Sequence, residues 1–390
     1  MALNILFWSI PLILLVSMVI LLYFRAVERD PEIFNAYMYI VGFAVLFYLP
    51  KLIFILFHMI EDIIFIAVKS ARRIKRGRHY NNMGKIQSRG ERTFLSKVGL
   101  AVCIIPFLAI IYGILIERFN YKVISETVVH ESLPPAFDGL RIVVIADIHI
   151  GSFHGRNHQI ERVVDIVNSQ EPDLILFAGD LVNNFTAELD GFIEILAGLE
   201  SKYGMYSVLG NHDYGDYFQW DSKEAKEDNM KEMIAAHEEI GFRLLLNEWD
   251  SLVIDGEKIA LIGVENWGSP PFPQYGDLQK ASDGTEHFPF RILITHDPSH
   301  WDEVISNGEI ELTFSGHTHG FQFGIEVGNF AWSPSKYIYP RWGGLYRENN
   351  QFLYVTRGLG FLGFPGRIGM PPEITVIEIR AAESSLSFSH

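Results

Sequence analysis

Two histidines one residue apart, His317 and His319, stand between glycines in the sequence GHTHG at residues 316–320. Either a polar turn or a metal site would explain two imidazoles at this point, because glycine marks turns and neutral imidazole is a common metal ligand. A metal site needs more ligands than these two. The choice therefore depends on what the rest of the chain supplies.

Four more apolar runs end in side chains that can bind a metal. LRIVVIADIH ends with Asp147 and His149, and DLILFAGD ends with Asp180. Two further runs end in GNHD, with Asn211, His212 and Asp213, and in ITHD, with His296. Because ligands gather at the carboxyl ends of strands in α/β sheets, five such ends predict one shared site. Carboxylate, imidazole and amide ligands without a thiol suit Mn, Fe or Zn, and the sequence does not choose among these metals.

In this order, the motifs D-x-H, GD, GNHD, H and GHxH resemble those of the calcineurin-like metallophosphoesterase family. The resemblance covers nearly all of residues 138–390. The tail segments KYIYPRWGGLY, YVTRGLGF and PPEIT resemble the membrane-associated bacterial branch, which holds phosphodiesterases and hydrolases of lipid-linked pyrophosphates. The resemblance implies an α/β fold, a double β-sandwich flanked by helices.

The resemblance also implies two divalent metal ions and a role for each motif residue. Asp147, His149 and His319 would hold the first ion, Asn211, His296 and His317 would hold the second, and Asp180 would bridge them. His212 would contact the phosphate and protonate the leaving oxygen, and Asp213 would either orient that imidazole or cap a turn. Two such ions lower the pKa of a shared water, so that hydroxide becomes the nucleophile, and they offset charge on the phosphoryl oxygens.

The spacing within GHTHG has its own implication. On an extended backbone, residues two apart point the same way, so His317 and His319 could reach adjacent ions about 3.5–4 Å apart. Gly316 and Gly320 would relieve crowding and permit strained turns there.

Several side chains near the motifs are candidates for substrate contacts. Where the family often has Gly-Gln, Phe321 precedes the glutamine, and this aromatic is expected to change substrate entry. Arg357 and Arg367 are candidate phosphate clamps, with surface ion pairing as the alternative. His154 and Asn183 closely follow metal motifs and are candidates to line the pocket.

Aromatic residues are dense in two loops of this half of the chain. Eight lie from Phe321 to Tyr346 inclusive, and Trp267 and Phe272 lie in another loop rich in proline. They either pack in the core or form an apolar rim for a lipid tail or the membrane surface.

Alternating strand-like and helix-like segments must position these motifs. Helical spacing or charge patterning predicts helices at 157–169, 187–200 and 222–240. Strand-like runs follow at 251–264, 290–296, 311–315, 352–356 and 374–379. The pattern predicts a catalytic domain over residues 139–390, preceded by a linker at 117–138.

Three apolar runs near the N-terminus predict a membrane region over residues 1–116. The spans are expected at about 3–24, 36–57 and 98–116, since each run is long enough to cross the hydrocarbon core. A cleaved signal peptide is the alternative for the first run, but no cationic residue precedes it and no small-residue cleavage site follows it. The second run continues to residue 68, as a helix expected at the membrane interface.

Charge predicts the orientation of these spans. The loop at 69–97 has ten Lys and Arg residues and one acid, which places it in the cytoplasm and residues 117–390 outside the cytoplasm. We therefore expect a multi-pass cell-membrane protein that contacts the lipid bilayer. Residues 1–116 carry a net charge of +7 and residues 117–390 a net charge of −22. A domain with this negative net charge repels the phosphate backbone of nucleic acids, so nucleic acid is not expected as a partner.

The sequence thus predicts a membrane-anchored dinuclear-metal phosphoesterase. It would hydrolyse a phosphodiester or pyrophosphate bond, with a lipid-linked substrate expected because the enzyme is held at the bilayer. Two alternatives stay open: a pyrophosphatase of a nucleotide-activated lipid precursor at the cytoplasmic face, and a non-catalytic membrane scaffold stabilised by metals. The extra imidazole of His212 favours an enzyme, because a structural metal site has no need of it.

Overall fold

The computed structural model describes residues 9, 12–17, 19, 31–76, 94–270, 272–328 and 330–382. Two segments are long and apolar enough to cross a membrane, one within α1 (Pro31–Arg76) and one that begins in α2 (Phe94–Leu115) and continues past its end. These segments are Ala36–Val68, with 33 residues, and Leu95–Phe119, with 25 residues. About 20 residues suffice for a span. The first expected span, 3–24, and the centre of the basic loop lie largely outside the described residues.

Helix α1 is one continuous helix of 46 residues. The sequence had suggested a span at 36–57 followed by a separate helix, but no glycine or proline interrupts the chain at that junction, so the helix continues through it. Ser96 of α2 donates a hydrogen bond to Glu61 of α1 at 2.5 Å. This bond joins the two helices near the start of α2.

The expected linker at 117–138 contains strand β1 (Lys122–His130). This strand pairs in parallel with the last strand of the domain along its whole length, from Lys122 with Glu373 to His130 with Ala381. The interpretation as a linker is thus corrected. The segment is mostly exposed and mixes polar with apolar residues, so only the long-range pairing identifies it as a strand.

Two six-stranded sheets form the body of the catalytic domain. The first sheet has the order β1-β14-β2-β3-β4-β5, where β14 is Glu373–Ala381, β2 Leu140–Ile145, β3 Leu174–Phe177, β4 Met205–Ser207 and β5 Arg243–Leu244. The second has the order β12-β13-β9-β8-β7-β6, where β12 is Gly344–Glu348, β13 Gln351–Val355, β9 Leu312–Ser315, β8 Arg291–Thr295, β7 Glu257–Val264 and β6 Glu248–Ile254. A separate hairpin pairs β10 (Ile325–Val327) with β11 (Phe330–Trp332).

The two large sheets pack face to face and helices cover their outer faces. The central core joins buried residues of both sheets, such as Ile142 of β2 and Ile292 of β8. Helices α3 (Asn157–Asn168), α4 (Ile193–Leu196) and α5 (Lys223–Ile240) pack on the first sheet, and α6 (Leu278–Ser282) and α7 (Trp301–Asn307) pack on the second. The predicted double β-sandwich flanked by helices is confirmed.

The helix expected at 187–200 is shorter than the sequence suggested. It is divided into a 3-10 turn at Thr186–Leu189 and the single turn of α4. Gly191 between them has φ 79°, a left-handed conformation that ends a helix. By contrast, α5 follows the expected 222–240 closely, because Ser222 caps it by accepting a hydrogen bond from the Ala225 amide at 3.2 Å.

Parallel pairing brings the motif-bearing strand ends to one place. In the first sheet β2, β3 and β4 are parallel neighbours. In the second sheet β8 and β9 are parallel neighbours. Because the carboxyl ends of parallel neighbours meet at one edge, the loops after these five strands converge.

Candidate metal centre

One group of ligands comes from the loops after β2 and β9. Asp147, His149 and His319 offer ligand atoms that all lie within 4.8 Å of one another. The Nε2 atoms of His149 and His319 are 3.0 Å apart, and His319 Nε2 is 3.5 Å from Asp147 Oδ1. His149 Nδ1 faces the Val182 carbonyl at 3.2 Å, which leaves Nε2 as the free lone pair. Two nitrogen lone pairs and a carboxylate converging in this way fit a divalent cation.

A second group comes from the loops after β3, β4, β8 and β9. Asp180, His296 and His317 also have ligand atoms within 4.8 Å of one another. Asn211 Oδ1 joins them at 2.8 Å from His317 Nδ1. His296 Nδ1 donates to the Ala178 carbonyl at 2.7 Å, so its Nε2 is the nitrogen that faces the other ligands of this group.

Asp180 lies between the two groups. Its Oδ2 atom is 3.1 Å from His296 Nε2 and 3.5 Å from His149 Nε2. One carboxylate thus reaches the donor atoms of both groups, as a residue bridging two ions must.

The backbone at these strand ends is strained. Five ligand residues have left-handed φ angles, which side chains other than glycine rarely adopt: Asp147 at 52°, His149 at 49°, Asp180 at 60°, His317 at 73° and His319 at 49°. Such conformations cost about 1–3 kcal/mol each and cluster at functional sites. The GHTHG segment is therefore a tight turn. The expectation of an extended backbone there is wrong, although the two rings still reach the two groups of ligands.

Glycines beside the ligands make room for the carboxylates. A Cβ atom on Gly316 would lie 2.4 Å from Asp147 Oδ2, inside van der Waals contact. A Cβ atom on Gly210 would lie 2.2 Å from Asp180 Oδ1. Any larger residue at either position would displace a ligand.

Burial and mutual proximity set the protonation of the centre. Burial lowers the pKa of His149 to about 3 and that of His317 to about 4, so these rings are neutral and able to ligate. Burial alone would lower the pKa of His296, but the attraction of the Asp180 carboxylate is stronger, so the net pKa is raised to about 10. Burial raises the pKa of Asp147 to about 7. Burial opposes ionisation of Asp180 as well, yet His296 and its neighbouring rings hold that pKa well below its usual range.

His212 lies at the edge of the centre with one nitrogen fixed. Its Nδ1 donates to the Asn183 carbonyl at 2.6 Å, and its amide donates to Asp180 Oδ1 at 2.9 Å. The ring centroid is 4.9 Å from that of His149. Its Nε2 is therefore the atom available to a substrate.

Asp213 does not orient His212. Its carboxylate accepts hydrogen bonds from the amides of Asp180, Leu181, Val182 and Gly210 at 2.8–3.2 Å. Asp213 thus fixes the loop that carries Asp180. The orienting role implied by the family resemblance falls to the Asn183 carbonyl, and the turn-capping alternative describes Asp213.

Two of the proposed substrate contacts lie elsewhere. His154 is exposed and does not line the cavity over the centre. Asn183 is buried, with its side chain near Ser152 Oγ at 3.4–3.5 Å, and it acts on the site through its backbone carbonyl.

The two arginines are not phosphate clamps in this structure. Arg367 is fully buried and donates to backbone carbonyls and, from Nη2, to His319 Nδ1 at 3.2 Å. Arg357 pairs with Glu326 of the hairpin at 2.9 Å, and its Nε lies 3.5 Å from Glu373. Both guanidinium groups are engaged by protein groups, so neither is free to bind phosphate.

A cavity of about 370 Å³ opens over the centre. Phe321 lines it, as predicted, and is 41% exposed. Phe272 and Leu362 add apolar surface, and Thr318 and Gln322 also line the cavity. The mouth is thus partly apolar while the floor carries the ligands.

Two tyrosines contact the ligands and escaped the sequence analysis as site residues. The Tyr339 hydroxyl lies 2.8 Å from His317 Nε2 and lines the cavity. The Tyr217 hydroxyl accepts from Asn211 Nδ2 at 2.9 Å. Neither tyrosine directly ends an apolar strand, so the strand-end rule could not find them.

Comparisons with known proteins identify the family of the chain. Residues 140–321 match the family model described as "Calcineurin-like phosphoesterase", and residues 2–118 match "Probable Calcineurin-like phosphoesterase, transmembrane domain". The chain is 30% identical over 319 residues to the "Transmembrane protein with metallophosphoesterase domain" of Danio rerio, covering 77% of this chain and 68% of that protein. It is 28% identical over 278 residues to the "Uncharacterized metallophosphoesterase YkuE" of Bacillus subtilis, covering 69% of this chain and 89% of that one.

The fold, the ligand geometry and these matches define a class of protein. The chain belongs to the calcineurin-like metallophosphoesterase family. It is a metal-dependent phosphoric ester hydrolase with a transmembrane domain.

Proposed function

We propose that this membrane protein hydrolyses a phosphodiester or pyrophosphate bond at a centre of two divalent metal ions. The observation that carries the proposal is the position of Asp180 Oδ2, within 3.5 Å of ligand nitrogens from both groups. A site for a single metal has no need of a second ligand group, so this geometry favours a dinuclear site, and the adjacent imidazole of His212 favours an enzyme over a scaffold.

The ligands divide as the family resemblance implied. Asp147, His149 and His319 would hold one ion, Asn211, His296 and His317 would hold the other, and Asp180 would contact both. When bound, the two ions would supply an activated water nucleophile and offset charge on the phosphoryl oxygens. The donors are oxygen and nitrogen without sulfur, which suits Mn, Fe or Zn.

His212 would act on the leaving group. Its Nδ1 proton is bound to the Asn183 carbonyl. In the imidazolium form, the second proton, on Nε2, is the one that can pass to the leaving oxygen. The backbone amide of His212 donates to Asp180, and this bond holds the residue that carries the imidazole next to the bridging carboxylate. The apolar side chains of Phe272, Phe321 and Leu362 would exclude bulk water from part of the cavity.

Activity of the full-length protein in nanodiscs with Mn²⁺ tests this function. We expect turnover of bis(p-nitrophenyl) phosphate that is lost in Asp180→Asn and retained in His154→Asn, because His154 does not line the cavity. A wild-type protein with bound metal and no turnover of diester or pyrophosphate substrates would favour the scaffold.

We further propose that the protein is multi-pass and that its catalytic domain faces away from the cytoplasm. The basic loop at 69–97 supports this orientation. A C-terminal alkaline phosphatase fusion should be active in cells, while a fluorescent protein that folds only in the cytoplasm should stay dark at the same position. The reverse pattern would favour the cytoplasmic-face alternative, a pyrophosphatase of a nucleotide-activated lipid precursor.

A further inference from the structure

The hairpin of β10 and β11 carries apolar side chains into solvent. Within the described part of the chain, these two strands belong to neither large sheet. Ile325, Val327 and Phe330 are 51%, 70% and 60% exposed. In the next loop, Tyr337 and Ile338 are 73% and 64% exposed. We call these five residues the apolar tip. Exposed apolar side chains concentrated in one short segment of the chain indicate an interaction surface.

Residues 367–368 connect the base of the hairpin to the end of α2. The Ile368 amide donates to the Gln322 carbonyl at 2.7 Å, and the Ile368 carbonyl accepts from the Gly324 amide at 2.9 Å. The adjacent Arg367 amide donates to the Gly113 carbonyl of α2 at 3.2 Å. A Cβ atom on Gly113 would lie 2.8 Å from Ile368 Cγ1, so the contact is close. A single residue, Ile368, therefore touches both α2 and the hairpin base.

This contact is at the end of the apolar span. The apolar run that contains Gly113 continues to Ile116, and the chain becomes charged at Glu117. At 1.5 Å per residue, Gly113 and Ile116 are about 4–5 Å apart along the helix axis. The base of the hairpin is thus close to the boundary between lipid tails and headgroups, on the side of the catalytic domain.

Charge on the hairpin does not oppose contact with lipid. Glu326 is the charged residue of β10, and its carboxylate is bonded to the Arg357 guanidinium at 2.9 Å. The paired charges cancel, so Glu326 does not place an uncompensated negative charge beside the lipid. The five residues of the apolar tip are aliphatic or aromatic, the types that enter the interfacial layer of a membrane.

We propose that the apolar tip docks into the interfacial layer of the same bilayer that holds α1 and α2. Docking would bring Phe321, which precedes the hairpin and lines the cavity, next to the lipid headgroups. Resting on the proposed phosphoesterase function, the substrate class is then a phosphorylated lipid that enters the cavity from the bilayer.

Site-specific labelling of the full-length protein tests the docking. Cys103, the single cysteine, is replaced by alanine, and Val327→Cys is labelled with a polarity-sensitive dye in phosphatidylcholine–phosphatidylglycerol nanodiscs. The matched control is Val253→Cys, on the edge strand β6, where valine is 49% exposed. We expect blue-shifted emission that is quenched by spin-labelled lipid at position 327 and neither effect at position 253.

Two outcomes would overturn the docking. The first is emission from position 327 as water-like as that from position 253. The second is blue-shifted emission at 327 that spin-labelled lipid does not quench, because this would indicate contact with a second protein molecule.

Activity tests the source of the substrate. The Val327→Asp/Phe330→Asp variant should turn over soluble bis(p-nitrophenyl) phosphate within about twofold of wild type, because neither residue lines the cavity. Its turnover of phosphatidylglycerol or a long-chain polyprenyl pyrophosphate in the nanodiscs should fall at least about tenfold. Val253→Asp should change neither rate.

Failure of this inference is distinguishable from failure of the proposed function. A wild-type protein that hydrolyses the soluble diester but neither lipid, or a tip variant that keeps full lipid turnover, would overturn lipid entry and leave the phosphoesterase function standing. A wild-type protein inactive on all three substrates would contradict the proposed function, and the labels would still decide whether the tip enters the bilayer.

Discussion

The imidazole of His212 donates a hydrogen bond from Nδ1 to the backbone carbonyl of Asn183 across 2.6 Å. A carbonyl can only accept, so the bond fixes the proton on Nδ1 and directs Nε2 towards the cavity. The partner is a main-chain atom, so this arrangement depends on the loop after β3 rather than on any one side chain.

Replacing His212 should therefore affect the leaving group most. In His212→Asn we expect about 10²–10⁴-fold lower kcat on a diester with an alkyl leaving group, because such an oxygen needs a proton. The loss should be much smaller for p-nitrophenolate, which leaves unprotonated. Kinetics on both substrates and metal analysis of the same sample provide the measurement. An equal loss on both substrates would contradict a role as proton donor.

Asp213 should behave as a structural residue. Asp213→Asn keeps one acceptor oxygen but turns a donor NH2 group towards two of the four backbone amides, so we expect about 2–3 kcal/mol less stability in chemical denaturation. The pH dependence of kcat in the folded fraction should not change. Asp216→Asn is the matched control, because that carboxylate bonds to the side chains of Lys226 and Tyr275. A shifted pH profile with unchanged stability would instead return Asp213 to the orienting role.

Arg367 should support His319 rather than bind substrate. Lysine cannot reproduce its bonds to several carbonyls and to His319, so Arg367→Lys should lower metal affinity or kcat by about 10–100-fold. KM for a soluble diester should stay near the wild-type value. Arg357→Lys, at the partly exposed ion pair with Glu326, should have the smaller effect on metal affinity. A large rise in KM with full metal content would show a phosphate clamp.

Metal binding should release protons. In the metal-free protein the pKa of His296 is raised to about 10, so its ring is protonated at neutral pH and a cation must displace that proton. Apparent metal affinity should therefore rise with pH by up to about tenfold per unit between pH 7 and 10. Calorimetry in buffers of different ionisation enthalpy counts the protons, with His154→Asn as the control. Affinity that falls or stays level over this range would contradict the pairing of His296 with Asp180.

The strand-end rule predicted where the site lies, because each motif follows an apolar run that the fold uses as a strand, and the family resemblance assigned seven of the motif residues as ligands. Asp147 after β2 and His296 after β8 lie 149 positions apart, yet their strands deliver them to one edge of the sandwich. The rule works because parallel strands align their carboxyl ends.

Other features depend on contacts that sequence spacing does not encode. Strand β1 is mostly exposed, and its polar and apolar residues do not alternate as in a half-buried strand. Its pairing partner β14 is at the other end of the domain. Burial of Arg367 follows from the docking of its loop on Gly113 of α2. Asp213 meets amides some thirty residues earlier in the chain, so its capping role appears only in three dimensions.

Metal stoichiometry of the full-length protein and its Asp180→Asn variant tests the central claim most directly. Asp180 reaches ligand nitrogens of both groups, so the wild type should bind two Mn²⁺ ions per chain, and the variant should bind fewer and lose diester turnover. A wild type that saturates at one ion, or a variant that keeps two ions and full turnover, would contradict the dinuclear centre.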